Sequence, residues 1–221
     1  DYDLPPVHAR DGVHYICFSD QKILDSNGWT IRSACPFIPS DTFRSSREFK
    51  ARPHRWLTNY SKSIYIDSSV HLQGNPLELW NYLIPADAVI FGWLFHSLRA
   101  TVADEFGAVS EAKLVYQHVL DEQMDAYCKH HVETLAEKPV WGGLIARRHN
   151  TSPCIEAMEI WFAHVLRFSR RDQLSMPLAL SALRSEQKNL IWQSIHISEY
   201  HKWPITNKPK PIGYTVEDGI T

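Results

Sequence analysis

Three short stretches combine residue types that can do chemistry. In "SKSIYIDSS" an apolar run, Ser63–Ile66, stops on Asp67, with Ser68 and Ser69 following. Gly, Asn or Pro would serve a plain turn. An Asp at the carboxyl end of a buried strand stands where open α/β sheets hold their ligands. Such a carboxylate either bonds its own backbone two residues on, or faces a ribose hydroxyl or a divalent cation with the serine hydroxyls beside it. "FSRRDQLS" puts Asp172 and Gln173 at the start of a helical pattern, behind Arg170 and Arg171. A first-turn acid is favoured by the helix dipole. Beside a cleft the same carboxylate can serve sugar chemistry as nucleophile, base or electrostatic stabiliser, kept ionised by the two arginines. "SSREFKARPHRW" places Arg47, Lys50, Arg52, His54 and Arg55 within nine residues. That run is either a solvated charged face or a source of cations for a pyrophosphate next to Asp67.

Two histidine-bearing stretches are less specific. "WLFHSLRATVADE" offers His96, Arg99 and Glu105, and "SIHISEYHKWP" sets His196 and His201 five residues apart with Lys202 beyond. The chain has 12 histidines, so any one of them is more often a surface or satisfied core residue than a ligand. No P-loop, G-x-G-x-x-G, G-x-S-x-G or H-E-x-x-H motif occurs, which removes several common enzyme classes.

The elements that must position these residues follow from apolar spacing. Short strands are expected at 14–19, 29–32, 63–67, 88–95, 140–146 and 190–197. A short helix starts at Pro76, which suits a first helical position. Longer amphipathic helices are expected at 110–131, 153–168 and 171–183. Strands alternating with helices argue for an α/β domain with a mostly parallel sheet. The stretch 204–221, rich in Pro, Lys and Gly, reads as a tail.

The 221 residues, 44% of them hydrophobic, suffice for one sizeable core. A formal charge of −2 supplies no basic field for nucleic acid or an anionic membrane. No stretch has the roughly 20 consecutive apolar residues of a membrane span. Cys17, Cys35, Cys128 and Cys154 lie far apart with no C-x-x-C pair, so reduced and mostly buried thiols are expected. The compartment leans to the cytoplasm, or to the Golgi lumen in a eukaryote.

Taken together, "HYICFSD", "GWTIR", "SSREFKARPHRWLTNYSKSIYID", "GLIARRHN" and "WFAHVLRFSRRDQLSMPLAL" resemble the glycosyltransferase-like domain of the plant TOD and mucilage-related MUCI proteins and of many bacterial proteins. The resemblance runs over about residues 1–183, and "FSRRDQLS" is its most specific piece. A weaker similarity is to glycogenin-type nucleotide-sugar transferases of the GT-A fold. There a strand ends on an Asp-x-Asp motif and a short helix follows.

The resemblance implies a GT-A-type α/β domain over 1–203, with a mixed central sheet flanked by helices. It also implies a first strand ahead of "YDLPP", which a chain starting at Asp1 does not include. Asp67 matches the first carboxylate of the Asp-x-Asp motif, which contacts the donor ribose and a divalent metal, Mn²⁺ or Mg²⁺. Ser69 stands in the place of the second carboxylate, and a hydroxyl is the poorer ligand for such a cation. His196 matches the late histidine of the metal site, and Lys202 the lysine that reaches the phosphates. Asp172 and Gln173 match the pair beside the anomeric centre. Trp141-Gly142-Gly143 stands where Asn-Ser-Gly is expected. Arg47 and Lys50 would face the pyrophosphate, and His96 and Arg99 would line its acceptor or phosphate side.

The implied activity is transfer of a sugar from a nucleotide sugar, a UDP-sugar being favoured, to a carbohydrate acceptor, with retention at the anomeric carbon. Two other classes remain open on the residues. One is a nucleotide- or sugar-binding protein without turnover. The other is a metal-dependent amide or ester hydrolase of ceramide type, with Asp67, His96, His196 and His201 as ligands.

Overall fold

The computed structural model describes residues 4–23, 25–96 and 98–204, so most of the tail lies outside the described residues. Ile16–Ser19 (β1) and Thr30–Ser33 (β2) form a parallel pair. Helices Thr42–Ala51 (α1) and Pro53–Trp56 (α2) follow, and the Asp41 side chain caps α1 by accepting from the Arg44 amide. Next come Ser63–Ile66 (β3), the two-residue strand His71–Leu72 (β4) and Pro76–Leu83 (α3). Pro76 is the first residue of α3, and Asn75 accepts from the Leu77 amide as its cap.

Phe91–Phe95 (β5) leads to three helices, Val102–Glu111 (α4), Gln117–His130 (α5) and Val132–Ala136 (α6). Val140–Arg147 (β6), Ser152–Arg167 (α7) and Asp172–Ser181 (α8) follow. The described chain closes with Lys188–Ile191 (β7) and His201–Lys202 (β8).

The central sheet has the order β3-β6-β5-β7. β6 pairs antiparallel with both β3 and β5, while β5 and β7 are parallel. The sheet is thus mixed, as the family resemblance implied, and is not the mostly parallel one that strand–helix alternation suggested. Alternation counts elements along the chain, whereas direction is set by how each connection crosses the sheet. All eight residues of β6 are buried, as expected for a central strand covered on both faces. One face packs Cys154, Met158 and Trp161 of α7 and Met176 and Leu180 of α8 on Phe91, Trp93 and Ile145. The other packs Leu79, Trp80 and Leu83 of α3 on Leu94, Leu144 and Ala146.

Several expected boundaries moved. The helix expected at 110–131 starts only at Gln117: residues 110 and 111 end α4, and Lys113 between the two helices takes a positive φ of 50°. β7 stops at Ile191, and Trp192 beyond it is 71% exposed. α1 and α2 lie in the basic run and have no counterpart among the helices that apolar spacing predicts. Of the thiols, Cys154 is buried but Cys35 and Cys128 are exposed. An added Cβ at Gly92 of β5 would lie 2.2 Å from the Leu83 carbonyl oxygen, so only glycine lets α3 seat this closely. Gly92→Ala should therefore lower unfolding stability by about 1–3 kcal/mol through overpacking. A urea titration reads this, and an unchanged midpoint would contradict the close seating of α3.

Candidate active site

The basic run divides once it is wound into a helix. Arg47 and Lys50, three residues apart, share one face of α1. The other cations are taken up by structure. Arg52 makes a bidentate pair with Glu159 at 2.7 and 2.8 Å and reaches Glu48 at 3.1 Å, His54 bonds Glu159 at 2.9 Å, and Arg55 lies 3.4 Å from Glu48. Three residues of the run, Arg52, His54 and Arg55, therefore bond acids that tie α1 and α2 to α7, and the other two, Arg47 and Lys50, turn to the acids Asp67 and Asp172.

Lys50 is fully buried, yet its ammonium reaches across to two acids. Its Nζ lies 2.5 Å from Asp172 Oδ2 and 3.1 Å from Asp67 Oδ1. Tyr65 donates its hydroxyl to the same Asp67 oxygen at 2.7 Å. The Asp67 carboxylate is thus held by Lys50 and Tyr65, while the turn after β3 is closed by the backbone, the Val70 amide donating to the Asp67 carbonyl at 2.8 Å. This geometry favours the site over a turn that Asp67 caps with its own side chain. Arg47 Nε pairs with Asp172 Oδ1 at 2.9 Å, but its N–H is not aimed for a hydrogen bond, and Oδ1 lacks a donor among the described residues.

Asp172 is the first residue of α8, where the helix dipole favours an anion. Burial opposes its charge, but Lys50, Arg47 and Arg171 outweigh it and hold the carboxyl below the usual carboxylate range. Beneath this layer Arg147 is 1% exposed and donates to the backbone carbonyl of Lys50 at 2.5 Å. Burial pulls its guanidinium down to about 10, which leaves it charged at neutral pH. The second arginine ahead of Asp172, Arg170, instead lies over the Phe43 ring.

Two glycines open the space above. The register between β5 and β6 shifts after Trp93, which pairs with Ile145 while Leu94 pairs with Trp141, so Gly142 and Gly143 leave the ladder. Bulges of this kind re-aim side chains beside sites. A Cβ on Gly142 would lie 3.0 Å from Asp172 Oδ2 and 3.1 Å from Lys50 Nζ, so the ion pair rests directly on this backbone. A Cβ on Gly143 would collide with the Trp141 ring at 2.3 Å. Trp141 lies across that bare backbone, stacked on His201 with centroids 5.2 Å apart and edge-on to Trp203. Trp203 donates its indole N–H to Ser69 Oγ at 3.1 Å.

The result is a polar recess of about 160 Å³ lined by Arg47, Asp67, Ser69, Trp141, Gly142, Gly143, Arg171, Asp172, Gln173 and Trp203. It is smaller than the roughly 300–1,000 Å³ of a pocket enclosing a whole small molecule. A larger hollow of about 240 Å³, among Trp93, Phe95, Val140 and Leu190, is mainly apolar and holds none of the paired acids.

The remaining sequence candidates lie around or outside this recess. Arg99 Nε sits 3.3 Å from Glu105, which also lies 4.0 Å from Arg171, so Arg99 belongs to a chain of charges ending in the recess. The His96 imidazole is driven down to about 4 by burial and by Arg99, Arg171, Lys138 and His196, so it is neutral at physiological pH. His196 stacks on Trp203, with centroids 5.3 Å apart. Lys202 is exposed on β8 and does not line the recess. Trp203, Tyr65 and Arg147 complete the site without having been singled out for it, and Trp141 entered only as the residue standing where an Asn is expected. The "HKWP" and "VWGG" stretches were the signals available for the two tryptophans.

For a divalent cation the fit is poor. Asp67 Oδ1 already takes Tyr65 and Lys50, Ser69 Oγ accepts from Trp203, and no three His, Cys, Asp or Glu converge as a metal site among the described residues. The four-ligand zinc centre required by the hydrolase reading is therefore not formed among them. His201 is buried, its ring nitrogens engaged by Ser198 and by the Ile195 carbonyl.

A mixed sheet covered by helices, with paired acids and cations at the carboxyl end of a strand, defines an α/β protein with a small polar recess. The chain belongs to the TOD1/MUCI70, glycosyltransferase-like domain family, whose model matches residues 34–201. That span starts beyond β2 and takes in every residue of the recess except Trp203. No curated protein and no solved structure matches the chain. Among the described residues no helix is long and apolar enough to cross a membrane.

Because the folded-state carboxyl of Asp172 is depressed, its stabilising charge is complete above the unfolded-state value of about 4 and is lost as pH falls through the lower folded value. The stability gap between the native chain and Asp172→Asn should be flat from about pH 7 to about pH 5 and narrow below about pH 4. Urea titrations across that range measure it. A gap that keeps its size into the acid limb would mean that Asp172 is not held as an ion.

Proposed function

We propose that the domain is a glycosyltransferase of GT-A type that moves a sugar from a nucleotide sugar, a UDP-sugar being favoured, to a carbohydrate acceptor. The observation that carries this reading is the buried Lys50 joining the strand-end Asp67 to the helix-start Asp172, with Arg47 and Arg171 beside them. Asp67 faces the donor ribose. Arg47, Lys50 and Arg171 meet the diphosphate. In the transfer the bond from the anomeric carbon to the diphosphate oxygen breaks, and its electron pair leaves with the diphosphate. The acceptor hydroxyl oxygen forms the new bond, and its proton passes to the departing diphosphate.

Charge develops on the leaving oxygens, where preorganised cations stabilise it most. Positive charge develops on the sugar ring, where the ionised Asp172 and the neighbouring Gln173 support it. The resemblance to glycogenin-type enzymes supports retention of the anomeric configuration. His96 and Arg99 are assigned to an outer rim on the acceptor or phosphate side, and Lys202 is exposed outside the recess.

Asp172→Asn should reduce turnover by about a hundred- to a thousandfold, the range for loss of one preorganised electrostatic group. Nucleoside diphosphate binding should persist. Release of nucleoside diphosphate from a panel of nucleotide sugars with glycan acceptors measures the first, and calorimetry the second. Full turnover in the variant would remove Asp172 from the reaction. A native chain that binds nucleotide but releases no diphosphate with any acceptor would favour a binding protein, a reading to which Ser69 in place of a carboxylate also points.

A further inference from the structure

The residues that would have to hold a divalent cation are occupied by other work. Asp67 Oδ1 receives the Tyr65 hydroxyl at 2.7 Å and the Lys50 ammonium at 3.1 Å. Ser69, where a second carboxylate would stand, accepts the Trp203 indole N–H at 3.1 Å. Trp203 in turn covers His196 face to face. The recess is lined by Arg47 and Arg171, and the buried Lys50 lies behind its wall on Asp67 and Asp172, so that three cations stand against these two carboxylates. Arg47 Nε and Asp172 Oδ1 face each other at 2.9 Å as an ion pair, and neither has a further hydrogen-bond partner among the described residues. The surplus is positive, and it is fixed by packing: Lys50 is fully buried, and its backbone carbonyl is held by Arg147.

We infer that the recess binds the diphosphate of a nucleoside diphosphate donor without a divalent cation, with Lys50, Arg47 and Arg171 carrying the charge that a metal would otherwise carry. This rests on the donor-site reading above. Guanidinium groups match phosphate oxygens in planar, bidentate geometry, and an ammonium acts as a point charge among them. A group already inside the recess costs little further reorganisation when the anion arrives. A dication, in contrast, would enter beside three fixed positive charges and find the Asp67 Oδ1 and Ser69 Oγ atoms already engaged and Asp172 paired with Lys50 and Arg47.

The test is calorimetric titration of the full chain with UDP, GDP, ADP and CDP, in chelator and again with Mn²⁺ or Mg²⁺. One nucleotide should bind in chelator, with affinity changing less than about threefold when the metal is added, a difference under 1 kcal/mol. Arg171→Gln, at a partly exposed position that leaves the buried ion pair intact, should weaken that binding about tenfold and lessen its sensitivity to salt. Lys50→Gln should weaken it further, and Mn²⁺ should not restore it. Binding that disappears in chelator and returns with Mn²⁺ would overturn the metal-free inference while leaving the donor site in place. Binding that both variants leave unchanged would also overturn it, because the charge would then come from elsewhere. Absence of binding by all four nucleotides, with and without metal, would end both the inference and the donor-site reading.

Discussion

The architecture of the site depends on one ammonium group held out of water. Lys50 is fully buried, a position in which an unpaired charge costs several kcal/mol. Its two carboxylates come from different parts of the fold, Asp67 from the end of β3 and Asp172 from the start of α8. Charge compensation therefore fixes three elements relative to one another. The same requirement explains Gly142, whose missing side chain leaves room for the pair, and Arg147, which secures the end of α1 from below. Buried ion pairs are poor sources of net stability but good sources of a unique arrangement. Here the arrangement is a fixed excess of positive charge facing a recess.

The recess owes its walls to a break in sheet regularity. β6 is a fully buried central strand up to the point where Gly142 and Gly143 leave the β5 ladder. Released from the β5 ladder, with the Gly143 carbonyl still accepting the Asp67 amide, that backbone becomes a floor: one glycine lies under the ion pair and the next under the Trp141 ring. The aromatic wall of Trp141 and Trp203 then closes the side opposite the cations, with Ser69 bonded into it. The recess so formed is polar and small, about 160 Å³.

How legible this was in the sequence varied with the physical origin of each feature. β3 ending on Asp67, α3 beginning at Pro76 and α7 with its apolar stripe were all readable, because burial of apolar faces and local capping produced them. α1 was not, because the face it buries includes Ser45, Glu48 and Lys50. A helix that turns polar residues inward reverses the signal that apolar periodicity detects. The break between α4 and α5 hid for a different reason: Lys113 adopts a conformation usually marked by glycine. In the site, Asp67, Asp172, Arg47 and Lys50 were readable as candidates, but their convergence is tertiary. Whether Arg170 or Arg171 would face Asp172, and that Trp203 would reach Ser69, depended on packing that no local pattern records.

That convergence has a consequence for how the chain acquires its structure. Lys50 meets Asp172 across 122 positions of sequence, and Ser69 meets Trp203 across 134. Contacts of such separation must overcome the entropy of closing long loops, so they form with the late consolidation of a fold. The charged recess thus arrives together with the complete topology, and a ligand that bound only this arrangement would stabilise the cooperative whole rather than one local segment.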